Sequence, residues 1–289
     1  MVGPTAAGKS DLAVTLAQEL GGEVVNADSM QLYRGMDIGT AKLAEAERQG
    51  VPHHLLDVWD VTVTATAAAY QQVCRGVVDD LLARGVTPVL VGGSGLYLRA
   101  ALDDLEFPGT DPELRAALEA ELATAGPLAL HARLTALAPD AAARMQPSNG
   151  RRVVRALEVV TLTGAMPGRM TSYDAHYPTC WVGVDRDDLA DRIGHRVDRM
   201  WHDGLVEEVR RLEQRGLREG VTASRALGYG QVLALLDGRL DDAGAREQTA
   251  VATRRFARRQ RAWFRRDPRI GWLTPGPDLT RRALDVVRS

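Results

Sequence analysis

Gly3-Pro4-Thr5-Ala6-Ala7-Gly8-Lys9-Ser10 fits the pattern GxxxxGK[ST] and runs straight into DLAVTLAQEL, residues 11–20, a stretch with the apolar spacing of an amphipathic helix. A glycine-rich turn that opens a helix is a phosphate cradle. The glycines let backbone N–H groups converge on phosphate oxygens, and the helix N-terminus adds partial positive charge. Lys9 adds a full charge, and the Ser10 hydroxyl suits Mg²⁺. The bland alternative is a glycine-rich turn that holds nothing. Such a loop ordinarily follows a central strand, yet only Met1 and Val2 precede Gly3. Either the first strand is almost absent or the natural polypeptide begins upstream of Met1. The second is expected, because a missing central strand leaves ladder groups unpaired at about 1–3 kcal/mol each.

Outward from this loop the first hundred residues alternate apolar runs with helical stretches. Glu23 to Asp28 (EVVNAD) and Thr87 to Val91 (TPVLV) read as buried strands. Between them Tyr70, Val73, Val77 and Leu81 recur at helical steps that stop at Gly85. That is βαβ grammar, which implies a parallel sheet with ligands at the carboxyl ends of its strands. From about Phe107 the character changes to helix upon helix. Asp111-Pro112 caps ELRAALEAELATAG, and Ser148 or Asn149 caps GRRVVRALEVVTLTG, before CWVGVD (Cys180 to Asp185) resumes the strand pattern. The remainder is mostly helical and includes a long helix from about Asp242 to Arg266. The expected fold is α/β: a P-loop NTPase-like parallel sheet with flanking helices and a helical insertion domain. The core spans residues 1–106 and 179–289, the second part carrying the arginine-rich C-terminal helix, and the insertion spans 107–178.

With 289 residues, 45% of them hydrophobic and 26% charged, the chain is neither disordered, collagenous nor a coiled coil. The 36 basic and 38 acidic side chains nearly cancel, so any grip on a polyanion must come from a local patch. Cys74 and Cys180 form no CxxC pair, which argues against a disulfide framework or a thiolate zinc site and for a reducing compartment. His53 and His54 are adjacent, so they do not share a helix face, and no HExxH spacing occurs. No apolar run approaches the roughly 18 residues of a membrane span, and the start lacks a signal-peptide pattern. No membrane partner and a cytoplasmic location are expected.

A phosphate loop alone specifies a phosphate ligand rather than ATP hydrolysis. The strand TPVLV ends in Gly92-Gly93-Ser94 and not in the magnesium-holding Asp of many P-loop NTPases. The acidic residue at a strand end is Asp28, readable as a turn former or helix cap, or as a general base beside the phosphate site. In the final long helix Arg254, Arg258, Arg261 and Arg265 keep a three- and four-residue rhythm on one face. Phe256 and Trp263 pack on another face, as core rather than as a stacking platform. Such a run is either a solvated face or a phosphate-binding one. With Asp267 as the one acid from Arg254 to Arg269, phosphate contact is favoured. Arg151 and Arg155 form a smaller pair at i and i+4.

These blocks, together with NADSMQLYRGMDIGTAK (residues 26–42), PHHLLD (52–57), VGGSGLY (91–97), RRVVRALEV (151–159), SRALGYGQ (224–231) and TRRFARRQRAWFRR (253–266), resemble the tRNA dimethylallyltransferases over nearly the whole chain. The resemblance implies transfer of a dimethylallyl group from dimethylallyl diphosphate to N6 of adenosine 37, beside the anticodon. In that family the phosphate loop, Gly3 to Ser10, holds the donor diphosphate, with Mg²⁺ at Ser10. Asp28 aligns with the catalytic Asp and Ser94 with a position usually occupied by Thr; both also fall where the family meets tRNA. Further tRNA contacts align with Ser29, Met30 and Gln31, with Arg115, with Arg151, Arg152 and Arg155, with Arg225 and Tyr229, and with Arg258, Arg259, Arg261 and Arg265. Ala7 stands where Ser is common and Gly230 where a basic residue is common. Ser94 keeps the hydroxyl of the usual Thr. A monomer is expected. The rival readings are an enzyme that prenylates free adenine nucleotides, a P-loop small-molecule kinase, and a non-catalytic RNA-binding protein.

Overall fold

The computed structural model describes residues 1–165 and 173–288; residues 166–172, inside the expected insertion, lie outside the described residues. In chain order the first elements are α1 Lys9–Leu20, β1 Gly22–Asn26, β2 His53–His54, α2 Ala67–Ala83, β3 Thr87–Val91 and α3 Gly95–Leu102. Then come α4 Pro112–Leu137, α5 Pro139–Ala142, α6 Gly150–Thr163, β4 Trp181–Val184, α7 Leu189–His202 and α8 Leu205–Glu213. The chain closes with α9 Tyr229–Leu236, α10 Asp242–Phe264, β5 Ile270–Leu273 and α11 Leu279–Arg288. Two units divide it: Met1–Asp103 with Ala175–Ser289, and Asp104–Asp174.

In the larger unit every strand pair is parallel. β1 lies between β2 and β3, with Val24 opposite Val89, and Trp181 of β4 lies opposite Ile270 of β5. Met1 and Val2 occupy the place between β3 and β4. Val2 N–H donates to Val182 O at 2.8 Å, Val184 N–H donates to Val2 O at 3.0 Å, and Gly92 N–H donates to Met1 O at 3.2 Å. The ladder is thus continuous across the strand that feeds the phosphate loop, and Val2 is fully buried. Hydrophobic strand residues such as Val24, Val25, Leu90 and Val182 pack between helices, as sheets covered on both faces require. Residues 270–273 form a strand in the part of the chain read from sequence as mostly helical; Ile270 and Trp272 are readable as strand formers once β4 is there to pair with them.

α10 buries Ala245, Thr249, Ala250, Ala257, Gln260 and Phe264. That stripe corrects the expected one. Trp263 is exposed at the helix surface and Phe256 is half-buried beneath the Arg259 guanidinium, while the small residues Ala245 and Ala250 pack among the side chains of α7, α8 and α9.

The smaller unit is helical. Asp111 caps α4 by accepting from the N–H groups of Glu113 and Leu114, and Asn149, rather than Ser148, caps α6. Gly126, at φ 79° and ahead of Pro127, breaks α4 into two segments. Its core gathers Leu118, Leu130, Leu134, Val153 and Leu157.

Candidate active site

At the carboxyl ends of the parallel strands lies a cavity of about 850 Å³, walled by the phosphate loop, the segment after β1, the turn after β3, one face of α7 and residues 37–44. Its floor is set by backbone constraints. A Cβ on Gly3 would stand 2.2 Å from Val184 O, so only glycine lets the loop leave the sheet against β4. Gly8, at φ 90°, then turns the chain into α1, whose first N–H groups have no intrahelical partners.

Lys9 Nζ donates to Pro4 O at 2.7 Å. Burial, reinforced by the Arg196 charge and opposed by Asp28, pulls its ammonium down to about 8. Two further cations reach the loop from α7. Arg192 Nε donates to Ala6 O at 2.9 Å, and Arg196 Nη1 donates to Thr5 Oγ1 at 3.1 Å. The sequence reading missed both. The signal was present in LADRIGHRVDRMWH, where the buried residues Leu189, Ile193, Val197 and Trp201 recur every four and leave Arg192, Arg196 and Arg199 along one neighbouring stripe.

Asp28 faces the same cavity, two residues beyond β1. Its Oδ1 accepts from Met30 N–H at 2.9 Å. Burial raises the carboxyl above its ordinary value, against the opposing pull of the Met30 amide and Lys9. The segment is fixed by Asn26, another residue the sequence reading did not single out. Asn26 Oδ1 accepts from Asp28 N–H at 2.9 Å, while Nδ2 donates to Asp28 O at 3.1 Å and to Leu55 O at 3.0 Å. Ser94 does not line the cavity. Its hydroxyl accepts from Ser29 N–H and donates to Ser29 Oγ, both at 3.3 Å, so it supports the Asp28 segment from the neighbouring turn.

The opposite wall, residues 37–44, hangs on buried Glu208. Its carboxylate accepts from the N–H groups of Asp37, Ile38 and Gly39 at 3.1, 2.7 and 3.2 Å. Tyr229 Oη donates to the same carboxylate at 2.6 Å. Tyr229 is fully buried, which corrects its assignment as an RNA-contacting side chain: it is a strut for this wall. Gln31 Nε2 bridges the two walls by donating to Thr40 O at 3.1 Å. Ser29 and Met30 are half-buried beside Asp28.

The expected cationic residues divide into paired and open ones. Arg225, Arg258 and Arg259 are exposed. Arg261 and Arg265 both reach Asp185, at the end of β4. The scarcity of acids within the run, which favoured phosphate contact for all of its arginines, does not leave these two open, because their acidic partner comes from a distant strand. In the smaller unit Arg151 and Arg152 are exposed, whereas Arg115 and Arg155 both pair with buried Glu158. Burial works to raise the Glu158 carboxyl, but the two guanidiniums outweigh it and hold the group below its ordinary value.

Among the described residues no three acidic, His or Cys side chains gather as a metal cage. A Mg²⁺ ion that keeps water and phosphate oxygens as most of its ligands needs only one protein donor, and the Ser10 hydroxyl on the phosphate loop fits that role. No helix among the described residues is long and apolar enough to cross a membrane.

A family model described as IPP transferase matches residues 31–267. The tRNA dimethylallyltransferase of Parafrankia sp. (strain EAN1pec) is 63% identical over all of this chain and 91% of its own length. That of Salinispora tropica is 64% identical over all of this chain and 92% of its own. The solved tRNA isopentenylpyrophosphate transferase of Bacillus halodurans superposes with a TM-score of 0.73 at 38% identity, covering 99% of this chain and 95% of that one. A eukaryotic dimethylallyltransferase described as acting on tRNA gives a TM-score of 0.83 at 26% identity, covering 99% of this chain and 77% of that one.

Proposed function

The chain belongs to the IPP transferase family, and from that premise we propose that it transfers a dimethylallyl group from dimethylallyl diphosphate to N6 of adenosine 37 in tRNA. The observation that carries the reading is that the Lys9-bearing phosphate loop and Asp28 open into one cavity, close enough for each charge to shift the other's titration.

The amides that open α1, with Lys9 and Arg196, hold the diphosphate and take up its growing charge as it leaves. Asp28 accepts a hydrogen bond from the exocyclic amine. As the bond from N6 to the allylic carbon forms and the carbon–oxygen bond to diphosphate breaks, the amine proton passes to Asp28. A carboxyl raised by burial is a better proton acceptor than an ordinary one. Ser10 would hold a Mg²⁺ ion, which would supply further neutralisation of the leaving group. Asn26 and Ser94 keep the Asp28 segment in place.

An adenine stacked in an anticodon loop cannot present its amine to this cavity, so the nucleotide is drawn out of the loop. The tRNA backbone is met by Arg258, Arg259 and Arg225 in the larger unit, and by Arg151 and Arg152 in the helical unit, which serves as an anticodon-arm contact. The enzyme works as a monomer in the cytoplasm.

Purified protein given labelled dimethylallyl diphosphate, magnesium and either an anticodon stem-loop or AMP tests the reading. Label in the RNA supports it. Label in AMP instead identifies an adenine-nucleotide prenyltransferase, and phosphoryl transfer from ATP identifies a kinase.

A further inference from the structure

Gln260 lies inside α10, one residue beyond exposed Arg259, and is buried, with a relative exposure of 5%. Both of its polar atoms are committed, and to different walls of the cavity. Oε1 accepts from Thr5 N–H of the phosphate loop at 2.8 Å, and Nε2 donates to Gly93 O of the turn after β3 at 2.9 Å. The amide orientation follows from its partners, since reversal would set donor against donor and acceptor against acceptor. The approach is close enough that a Cβ on Gly93 would stand 2.1 Å from Nε2. The next residue, Ser94, bonds Ser29, and Ser29 follows Asp28. One side chain therefore links the phosphate loop, through Gly93, Ser94 and Ser29, to the segment that carries the carboxylate.

We propose that Gln260 is a positioning residue: through Thr5 and Gly93 it fixes the separation between the donor-diphosphate cradle and the Asp28 segment, and with it the approach of amine to allylic carbon. The proposal rests on the reading of the cavity as a prenyl-diphosphate and adenine site. A buried amide satisfied at both ends resists movement of either wall, because shifting one leaves a buried polar group unpaired. Reaction rate depends steeply on such spacing, with a displacement of about 1 Å costing on the order of a hundredfold. Gln260 touches neither reacting group in this scheme, so its loss acts through geometry.

The test uses the full chain with Gln260→Met and Gln260→Glu. Gln260→Met keeps length and loses both hydrogen bonds. Its kcat falls about tenfold or more, inorganic diphosphate binds it about tenfold more weakly by calorimetry, and stem-loop retention is unchanged. Gln260→Glu keeps the acceptor for Thr5 but, when ionised, cannot donate to Gly93; protonation restores the donor. Its activity relative to the parent therefore climbs as pH falls into the range where the introduced carboxyl, raised by burial at this site, takes up its proton, while the Gln260→Met ratio stays flat. A merely structural role lowers both melting temperatures and gives no pH-dependent recovery.

Parental kcat in Gln260→Met, or a flat ratio for Gln260→Glu, overturns the proposal. If Gln260→Met does not fold, the pH ratio of Gln260→Glu decides. If the parent itself transfers no label, the functional reading fails. The positioning role is then judged by diphosphate binding alone: equal affinity in parent and Gln260→Met overturns it, and about tenfold weaker binding sustains it.

Discussion

Arg261 Nη2 donates to Asp185 Oδ1 at 2.7 Å, joining the last turn of α10 to the carboxyl end of β4. Burial pushes the Asp185 carboxyl up, yet bonds from Arg261 and Arg265 outweigh it and hold the group below its ordinary value. Part of the basic helix is thus used to fasten that helix to the sheet. Arginines on one run of sequence therefore have separable jobs.

Arg261→Gln is expected to cost about 1–3 kcal/mol of stability, because it removes a charge-assisted bond from a mostly buried carboxylate. Arg258→Gln, at an exposed site, leaves stability nearly unchanged and flattens the salt dependence of stem-loop binding by about one unit of logarithmic slope. Urea melts and salt titrations of both variants check the division. Equal slopes for the parent and Arg258→Gln would return Arg258 to the solvated surface.

Asp28→Asn keeps the shape of the segment and removes the proton acceptor. Transfer is expected to be abolished with stem-loop retention intact, measured by label incorporation and filter binding. Since burial raises the Asp28 carboxyl, the parent loses kcat/KM as pH falls through a limb above the ordinary carboxylate value of about 4. A limb at or below that value would show that another group takes the proton.

Lys9 gives a second pH signature. Its ammonium is held at about 8, against 10.5 as the unperturbed value, so the unfolded chain binds more protons between those limits. Lys9→Met is expected to melt above the parent at pH 7, with the advantage shrinking as pH rises through that window. Inorganic diphosphate favours the charged lysine and binds the parent with proton uptake near pH 8, seen by calorimetry in buffers of different ionisation enthalpy. Proton release would contradict contact between Lys9 and the anion.

Glu158→Ala leaves Arg115 and Arg155 facing each other without their buried partner. The helical unit should lose about 3–5 kcal/mol of stability. Hydrogen exchange should show α4 and α6 opening together while β1 and β3 keep their protection. Unchanged exchange in α6 would show that the triad is not what holds the start of α4.

The sequence by itself determined the phosphate loop, two parallel strands, read as Glu23 to Asp28 and Thr87 to Val91 and found as Gly22–Asn26 and Thr87–Val91, the change to helices after Phe107, and Asp28 as the acidic residue where the first of them gives out. Each is a local matter: a glycine-rich turn, an apolar run or a cap specifies its own backbone through sterics and hydrogen bonding over a few residues. Tertiary structure alone decided which side chains meet. Asp185 neutralises arginines some 76 residues away along the chain, Gln260 closes on Thr5 across 255 residues, and Arg192 and Arg196 turn towards the phosphate loop. Tyr229 and Glu208 stand inside the core as struts for a wall of the site. Pairings of this kind follow from how helices pack on a sheet, and no local pattern encodes them, because a charged or amide side chain reads the same in sequence whether water or a distant strand end receives it.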